Sequence, residues 1–277
     1  MTQSNPIVQL LRQSRPLVMG ILNATPDSFS DGGRFLNTRL AVDHALVMQK
    51  EGADIIDIGG ESTRPGAPSV TIEDEAARVL PVIEAIRRES AIAISVDTSK
   101  PELMRRAVEA GADMINDVNA LQAPQAVEVC AELGVPVCVM HMQGQPRTMQ
   151  TNPHYDDVVG DIKRFLQQRV AACEAAGIDR GHIMIDPGFG FGKTLAHNLS
   201  LLGHLEQFEE LGLPLLVGMS RKSMLGMILD AEVDDRLYGS IAAAVIACTR
   251  GARIFRVHDV KPSVDALRVC AAVKASY

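Results

Sequence analysis

The sequence predicts an α/β fold, a single (β/α)8 or TIM barrel, on three observations. Short apolar runs alternate with helix-like stretches eight times. Most of those stretches stop at a glycine and turn within a few residues into the next run. A polar residue able to do chemistry then stands at the C-terminal tip of nearly every run. Chemistry gathered at the carboxyl ends of repeated parallel strands is how such a barrel builds an active site. The chain's 277 residues match the roughly 250 that one such domain takes. An open doubly wound sheet is the alternative that the same alternation allows.

The elements follow in order. Residues 1–15 read as an N-terminal extension, and 16–277 as the barrel domain. The apolar patch at 7–11 is broken by Gln9 and followed by Arg12, so no signal-peptide core is present. The first strand, 16–22, ends at Asn23 and opens into a long loop, 24–33, rich in Gly, Pro and hydroxyls. Helix 38–51 stops at Gly52, and strand 54–58 carries Asp57. A second long loop, 59–66, follows with Glu61; loops of this length and composition are more often binding loops than packing elements. Helix 72–89 leads to strand 92–96 and Asp97. Ser99-Lys100-Pro101-Glu102 reads as a helix start with Pro in the first turn, opening helix 101–110 before Gly111. Strand 114–118 bears Asn116 and Asp117, and helix 123–133 stops at Gly134. Strand 135–140 precedes His141, and helix 156–176 stops at Gly177. Strand 182–185 precedes Asp186, and helix 197–211 stops at Gly212. Strand 214–218 precedes Ser220, Arg221 and Lys222, and helix 237–250 stops at Gly251. Strand 253–257 presents Arg256 and His258, two apart and therefore on one side, before helix 262–275. Continuous apolar runs of this length suit strands buried on both faces of a parallel sheet.

Composition narrows the function. Hydrophobic residues make up 47% and mean hydropathy is +0.08, enough for a full core in a soluble protein. A net charge of −7 and a pI near 5.5 argue against nucleic-acid or acidic-membrane surfaces, and 4% aromatics with no Trp against base stacking. No apolar run approaches the roughly 20 residues of a membrane span. The five cysteines are odd in number, lie in apolar segments and form no CxxC, which reads as buried free thiols in a reducing cytoplasm.

Chemistry divides the strand tips into two sets. Asp97, Asn116, Asp186 and Lys222 combine acceptors, an amide and one ammonium. That mixture suits a flat heterocycle with ring N–H donors and a carbonyl, because a buried carboxylate needs partners and a guanidine-like edge supplies two. Asn23, Arg256 and His258 form a donor-rich corner suited to phosphate oxygens. Glu61, Asp117 and Arg221 read as structural, and His141 as either a ligand or a hydrogen-bonded core residue. Gly188-Phe-Gly-Phe-Gly-Lys-Thr194 imitates two nucleotide-binding loops and fails both. Pro187 stands where the phosphate loop needs Gly, and Lys193 where the dinucleotide fingerprint does. No clustered His/Cys set supports zinc, while a Mg²⁺ carried on a substrate phosphate needs few protein ligands.

Long motifs resemble the dihydropteroate synthase family. They are Gly20-Ile-Leu-Asn-Ala-Thr-Pro-Asp-Ser-Phe-Ser-Asp-Gly-Gly33, Asp57-Ile-Gly-Gly-Glu-Ser-Thr-Arg-Pro-Gly66, Ser95-Val-Asp-Thr-Ser99, Ile115-Asn-Asp117, Asp186-Pro-Gly-Phe-Gly-Phe-Gly-Lys193, Gly218-Met-Ser-Arg-Lys-Ser223 and Arg256-Val-His-Asp259. The resemblance implies condensation of a dihydropterin CH2-pyrophosphate with p-aminobenzoate. It implies that Asp97, Asn116, Asp186 and Lys222 grip the pterin, and that Asn23 with Mg²⁺, Arg256 and His258 hold the pyrophosphate. Thr63, Arg64, Pro65, Phe191, Ser220 and Lys222 would shape the p-aminobenzoate site, with Phe29, Asp31 and Gly32 as further contributors. Catalysis would fall to Lys222, Asp97, Arg256 and His258. Ala24 departs from the Val of many relatives without touching the chemistry. Family members are usually homodimers and sulfonamide targets. A pterin-binding methyltransferase domain is the alternative; Ser62-Thr-Arg-Pro65 and the Arg256/His258 corner favour the synthase.

Overall fold

A computed structural model describes residues 5–25, 34–62, 66–67, 69–146 and 148–276, with the backbone alone at 34–37. Eight parallel strands form one sheet: β1 (Leu17–Asn23), β2 (Ile55–Gly59), β3 (Ala93–Asp97), β4 (Met114–Asp117), β5 (Val137–Met140), β6 (Ile183–Asp186), β7 (Leu216–Val217) and β8 (Ile254–Val257). Their order is β6-β5-β4-β3-β2-β1-β8-β7. The sheet closes on itself through a parallel bridge from Ile185 to Leu215, so the seam between β6 and β7 is its most thinly bonded join. The barrel expected from the alternation is present, and the open sheet is excluded.

Helices α2 (Arg34–Glu51), α3 (Ile72–Glu89), α4 (Pro101–Glu109), α5 (Ala126–Leu133), α6 (Val158–Ala175), α7 (Leu195–Gly203), α9 (Leu237–Thr249) and α10 (Val260–Lys274) surround the strands. Two helices escaped the periodicity. Six-residue α1 (Pro6–Leu11) lies within the expected extension. Asn5 caps it, accepting from Ile7 N at 2.9 Å while donating to the Asp113 carbonyl, also at 2.9 Å. Seven-residue α8 (Ser223–Leu229) carries Gly226 in its middle, which weakens its pattern. The stretch 197–211 also differs from expectation. It starts as α7, breaks at Gly203-His204 and continues as a 3-10 turn, Leu205–Leu211.

The pleat sorts side chains into two cores. Outward residues such as Val18, Leu22, Ile56 and Ile94 pack under the helices. Inward residues Leu17, Met19, Ile55, Ala93, Met114, Cys138, Met184, Leu216 and Ile254 fill the lower barrel, and Ile7 of α1 joins them, fully buried. The extension is thus a plug; burying one such side chain stabilises by roughly 1.5–3 kcal/mol. One step further along each strand the interior turns polar.

Candidate active site

Continuing the inward parity gives Asp57 and Gly59 on β2, Ser95 and Asp97 on β3, Asn116 on β4, Asp186 on β6, Gly218 after β7 and Arg256 on β8. The two glycines leave space. A Cβ on Gly59 would stand 3.7 Å from Asp97 Cβ, and one on Gly218 would stand 3.7 Å from Arg256 Cβ.

Arg256 organises this polar floor. Its Nε donates to Asp57 Oδ2 at 2.6 Å and its Nη2 to Asp97 Oδ2 at 2.9 Å. Asn116 Nδ2 reaches both Asp57 oxygens at 3.3–3.4 Å. Asp57 is fully buried. Sequence reasoning names it at its strand tip and gives it no role, yet it anchors both neighbours. A carboxylate inside an apolar strand was the available signal. Asp186 Oδ1 accepts from Gly188 N at 2.7 Å. Among the described residues this leaves acceptor oxygens on Asp97, Asn116 and Asp186 uncommitted around the glycine-lined space.

Lys222 supplies the facing donor. Its ammonium donates to the Phe189 carbonyl and lies 4.6 Å above the Phe191 ring. The turn that carries it is fastened from outside. Arg236 donates to the Arg221 and Ala231 carbonyls, each at 3.0 Å, and Arg221, at φ +58°, pairs with Asp259 at 2.7 Å. The loop beneath depends on Gly188, whose φ is +70° and whose Cβ would fall 1.9 Å from the His141 carbonyl oxygen. No side chain fits there, which accounts for the glycines that mimic a phosphate loop.

Burial sets the electrostatics. It pushes Asp97 up to about 7 against the pull of Arg256, and raises Asp186, with Lys222 opposing. It lowers Lys222 to about 8, with Asp186 opposing. Arg256 is also pulled down by burial, but Asp57 and Asp97 outweigh this and it stays raised.

At the mouth, Ser220 Oγ accepts from His258 N at 3.2 Å and lies 3.1 Å from His258 Nδ1. Asn23 ends β1 level with Gly59 and Asp97, and makes no side-chain hydrogen bond among the described residues. Thus Asp97, Asn116, Asp186, Arg256, Lys222 and Phe191 converge, with Ser220, His258 and Asn23 at the rim. The structure ties Arg256 into the floor with Asp57 and Asp97, where sequence reasoning grouped it with the anion corner. Thr63, Arg64, Pro65, Phe29, Asp31 and Gly32 lie outside the described residues.

The three residues read as structural have structural partners. Glu61 meets Lys100 and accepts from Val70 N at 3.3 Å. Asp117 accepts from Asn119 N and Leu121 N, and Arg221 holds Asp259. His141 is a buried, hydrogen-bonded histidine. All five cysteines are free and buried. No helix among the described residues is long and apolar enough to cross a membrane.

A pterin binding enzyme family model matches residues 19–258. Dihydropteroate synthase of Escherichia coli K12 is 56% identical over 256 residues, spanning 92% of this chain and 91% of that protein. The Haemophilus influenzae dihydropteroate synthase is 53% identical over 256 residues, spanning 92% and 93%. The crystal structure of Yersinia pestis dihydropteroate synthase with a sulfonamide drug complex superposes with TM-score 0.90 at 53% identity, over 95% of both chains. Xanthomonas albilineans dihydropteroate synthase in complex with 7,8-dihydropteroate superposes with TM-score 0.86 at 52% identity, again over 95% of both.

Proposed function

The chain belongs to the pterin-binding enzymes, among the dihydropteroate synthases, and from that premise we propose how its own residues divide the reaction. It is a transferase that condenses 6-hydroxymethyl-7,8-dihydropterin pyrophosphate with p-aminobenzoate. The arylamine nitrogen bonds to the pterin CH2, the C–O bond breaks, and pyrophosphate leaves as the amine sheds one proton. Identity above one half to synthases over nearly the whole chain sets the methyltransferase alternative aside.

The observation that carries the residue assignment is the ring of uncommitted acceptors on Asp97, Asn116 and Asp186, faced by the Lys222 ammonium. A pterin presents amino and ring N–H donors with a carbonyl beside them, and so matches that ring. Asp57 holds Arg256 and Asn116 in register beneath it. The Phe191 ring and the Lys222 stem form the wall against which p-aminobenzoate packs, with Thr63, Arg64 and Pro65 assigned to the same subsite by family resemblance. Phe29, Asp31 and Gly32 are assigned likewise. An arylamine is neutral at pH 7 and already nucleophilic, so the barrier lies in pyrophosphate departure. His258 and Ser220 at the rim supply donors there, alongside the Arg256 charge.

The donors also fit a Mg²⁺ that arrives with its phosphate ligands. Such an ion keeps several waters and needs only one or two protein oxygens. Asn23 offers an uncommitted amide oxygen at the mouth, and among the described residues no three His, Cys, Asp or Glu side chains gather to cage a metal. When bound, Mg²⁺ would neutralise charge on the departing pyrophosphate. A homodimer is supported by the apolar side chains left exposed on α8 and at the start of α9, namely Met227, Ile228, Leu229 and Tyr238; sedimentation measures it directly. A cytoplasmic location is supported by the five free thiols. Sulfonamides, bound by the Yersinia pestis relative, would compete at the p-aminobenzoate wall.

The reaction is tested by pyrophosphate release from dihydropterin pyrophosphate with Mg²⁺, with and without p-aminobenzoate. Release that depends on p-aminobenzoate is the expected result; pterin binding without such release would defeat the reading. The pH profile of kcat/KM follows from the shifted groups, since it reports the free enzyme. Activity should fall below about 7 as Asp97 takes a proton, and again above about 8 as Lys222 loses one. These are apparent values of a coupled set. A profile flat on both sides of neutrality would remove both groups from the rate.

A further inference from the structure

Lys193 ends the loop that imitates a phosphate-binding motif, and no step above uses it. The residue is 3% exposed, and a buried ammonium has to be repaid by partners. It donates to the Phe191 carbonyl at 2.9 Å and to the His141 carbonyl at 3.4 Å, and it meets His141 Nδ1 at 3.0 Å. Three contacts use all three of its donors. Among the described residues no carboxylate pairs with it. Burial, with the Lys193 charge adding to it, lowers His141 to about 3, so the ring is neutral. Nδ1 then accepts and Nε2 carries the proton. The ring is held in turn edge-on against Phe165, with centroids 4.9 Å apart.

The geometry points to Lys193 as a positioning residue of the p-aminobenzoate wall, a strut that ties the glycine loop to the tip of β5 and so aims Phe191. By drawing the Phe191 carbonyl inward it turns that ring outward, to the place beneath Lys222. Neighbouring carbonyls are taken by other long side chains: Phe189 by Lys222, Gly190 by Gln150, and Gly192 by Tyr155 at 2.8 Å. Among the described residues, only Lys193 ties positions 188–193 to His141 by hydrogen bonds. Burial holds the Lys193 amine well below its ordinary pKa, with Asp186 opposing, so it is a costly way to fill volume that an apolar residue would fill more cheaply. What the amine adds is direction. The inference rests on the assignment of Phe191 to the p-aminobenzoate site.

Lys193→Met keeps the stem and removes the ammonium. The KM for p-aminobenzoate should rise about tenfold, the scale of a modest misplacement, while the KM for dihydropterin pyrophosphate stays within about twofold. Unchanged values, or equal rises in both, would overturn the assignment. Wild-type enzyme assayed alongside separates the two readings, since failure of the proposed function shows there as release independent of p-aminobenzoate. Should Lys193→Met not fold, ¹⁵N-histidine NMR of the wild type decides. A neutral His141 protonated at Nε2 through neutral pH is expected, and a ring protonated at Nδ1 could not accept from Lys193 and ends the proposal.

Discussion

Arg256→Met is expected to abolish useful turnover and to destabilise the fold together. The substitution leaves Asp57, fully buried, facing Asp97 without the cation that pairs with both. Removing one partner of a buried ion pair costs about 3–5 kcal/mol, because the remaining charge stays desolvated. Losing a preorganised donor costs a further factor on the order of 10²–10³ in rate. The pH dependence gives the sign. Arg256 lowers the Asp97 pKa, so without it Asp97 rises above about 7 and the acid limb of kcat/KM moves to higher pH. A carboxyl whose folded pKa exceeds its unfolded value stabilises the fold while protonated and loses that contribution as pH rises through the folded pKa. The thermal penalty should therefore be larger at pH 8 than at pH 6. Thermal unfolding at both pH values checks this; an equal or absent penalty would show that Arg256 does not neutralise the pair.

Lys222→Met should lose activity as severely while gaining stability. The ammonium is the donor facing Asp186 and is proposed to meet the pterin ring, and it lies over Phe191. Removing it should lower kcat/KM by a factor on the order of 10³, the scale of a preorganised charged donor. Burial holds the folded pKa at about 8, below the ordinary 10.5 of a lysine. At pH 7 the folded state therefore carries a charge it disfavours by roughly 3 kcal/mol, at 1.36 kcal/mol for each tenfold change in proton affinity. That cost is full below the folded pKa and disappears above the unfolded one. Methionine removes it, so the melting temperature at neutral pH should rise by several degrees, at roughly 2–4 °C per kcal/mol for a chain approaching this size. A lower melting temperature would mean that the Phe189 hydrogen bond outweighs the desolvation. Near-normal kinetics would remove Lys222 from the site. The two variants thus separate a cation that holds the floor together from one that the floor carries at a cost.

Much of this was legible in one dimension. The strands announce themselves because a parallel strand buried on both faces must be apolar along its length, as in Ala93–Asp97 and Ile183–Asp186. Asp97, Asn116, Asp186, Lys222 and Arg256 stand out because polar groups at the ends of such runs have few other reasons to be there. The short helices α1 and α8 were hidden, since six or seven residues give too few turns for a period to show. The break at Gly203 was hidden because apolar spacing continues through the 3-10 turn.

By itself the sequence determined the eightfold alternation, the strand tips and the family resemblance, since each rests on local period or on motifs read in order; closure into a barrel rather than an open sheet came from the fold. Tertiary structure alone decided which tips meet. Arg256 reaches Asp57 across 199 positions of chain because closure brings β8 beside β1 and β1 beside β2, and no local pattern encodes a partner that far away. The pairing of β5 with β6 sets Lys193 against His141, 52 residues earlier, and so turns an apparent phosphate loop into an internal strut. Spacing says which residues point inward; only the closed sheet fixes which of them stand close enough to exchange hydrogen bonds and shift one another's charge.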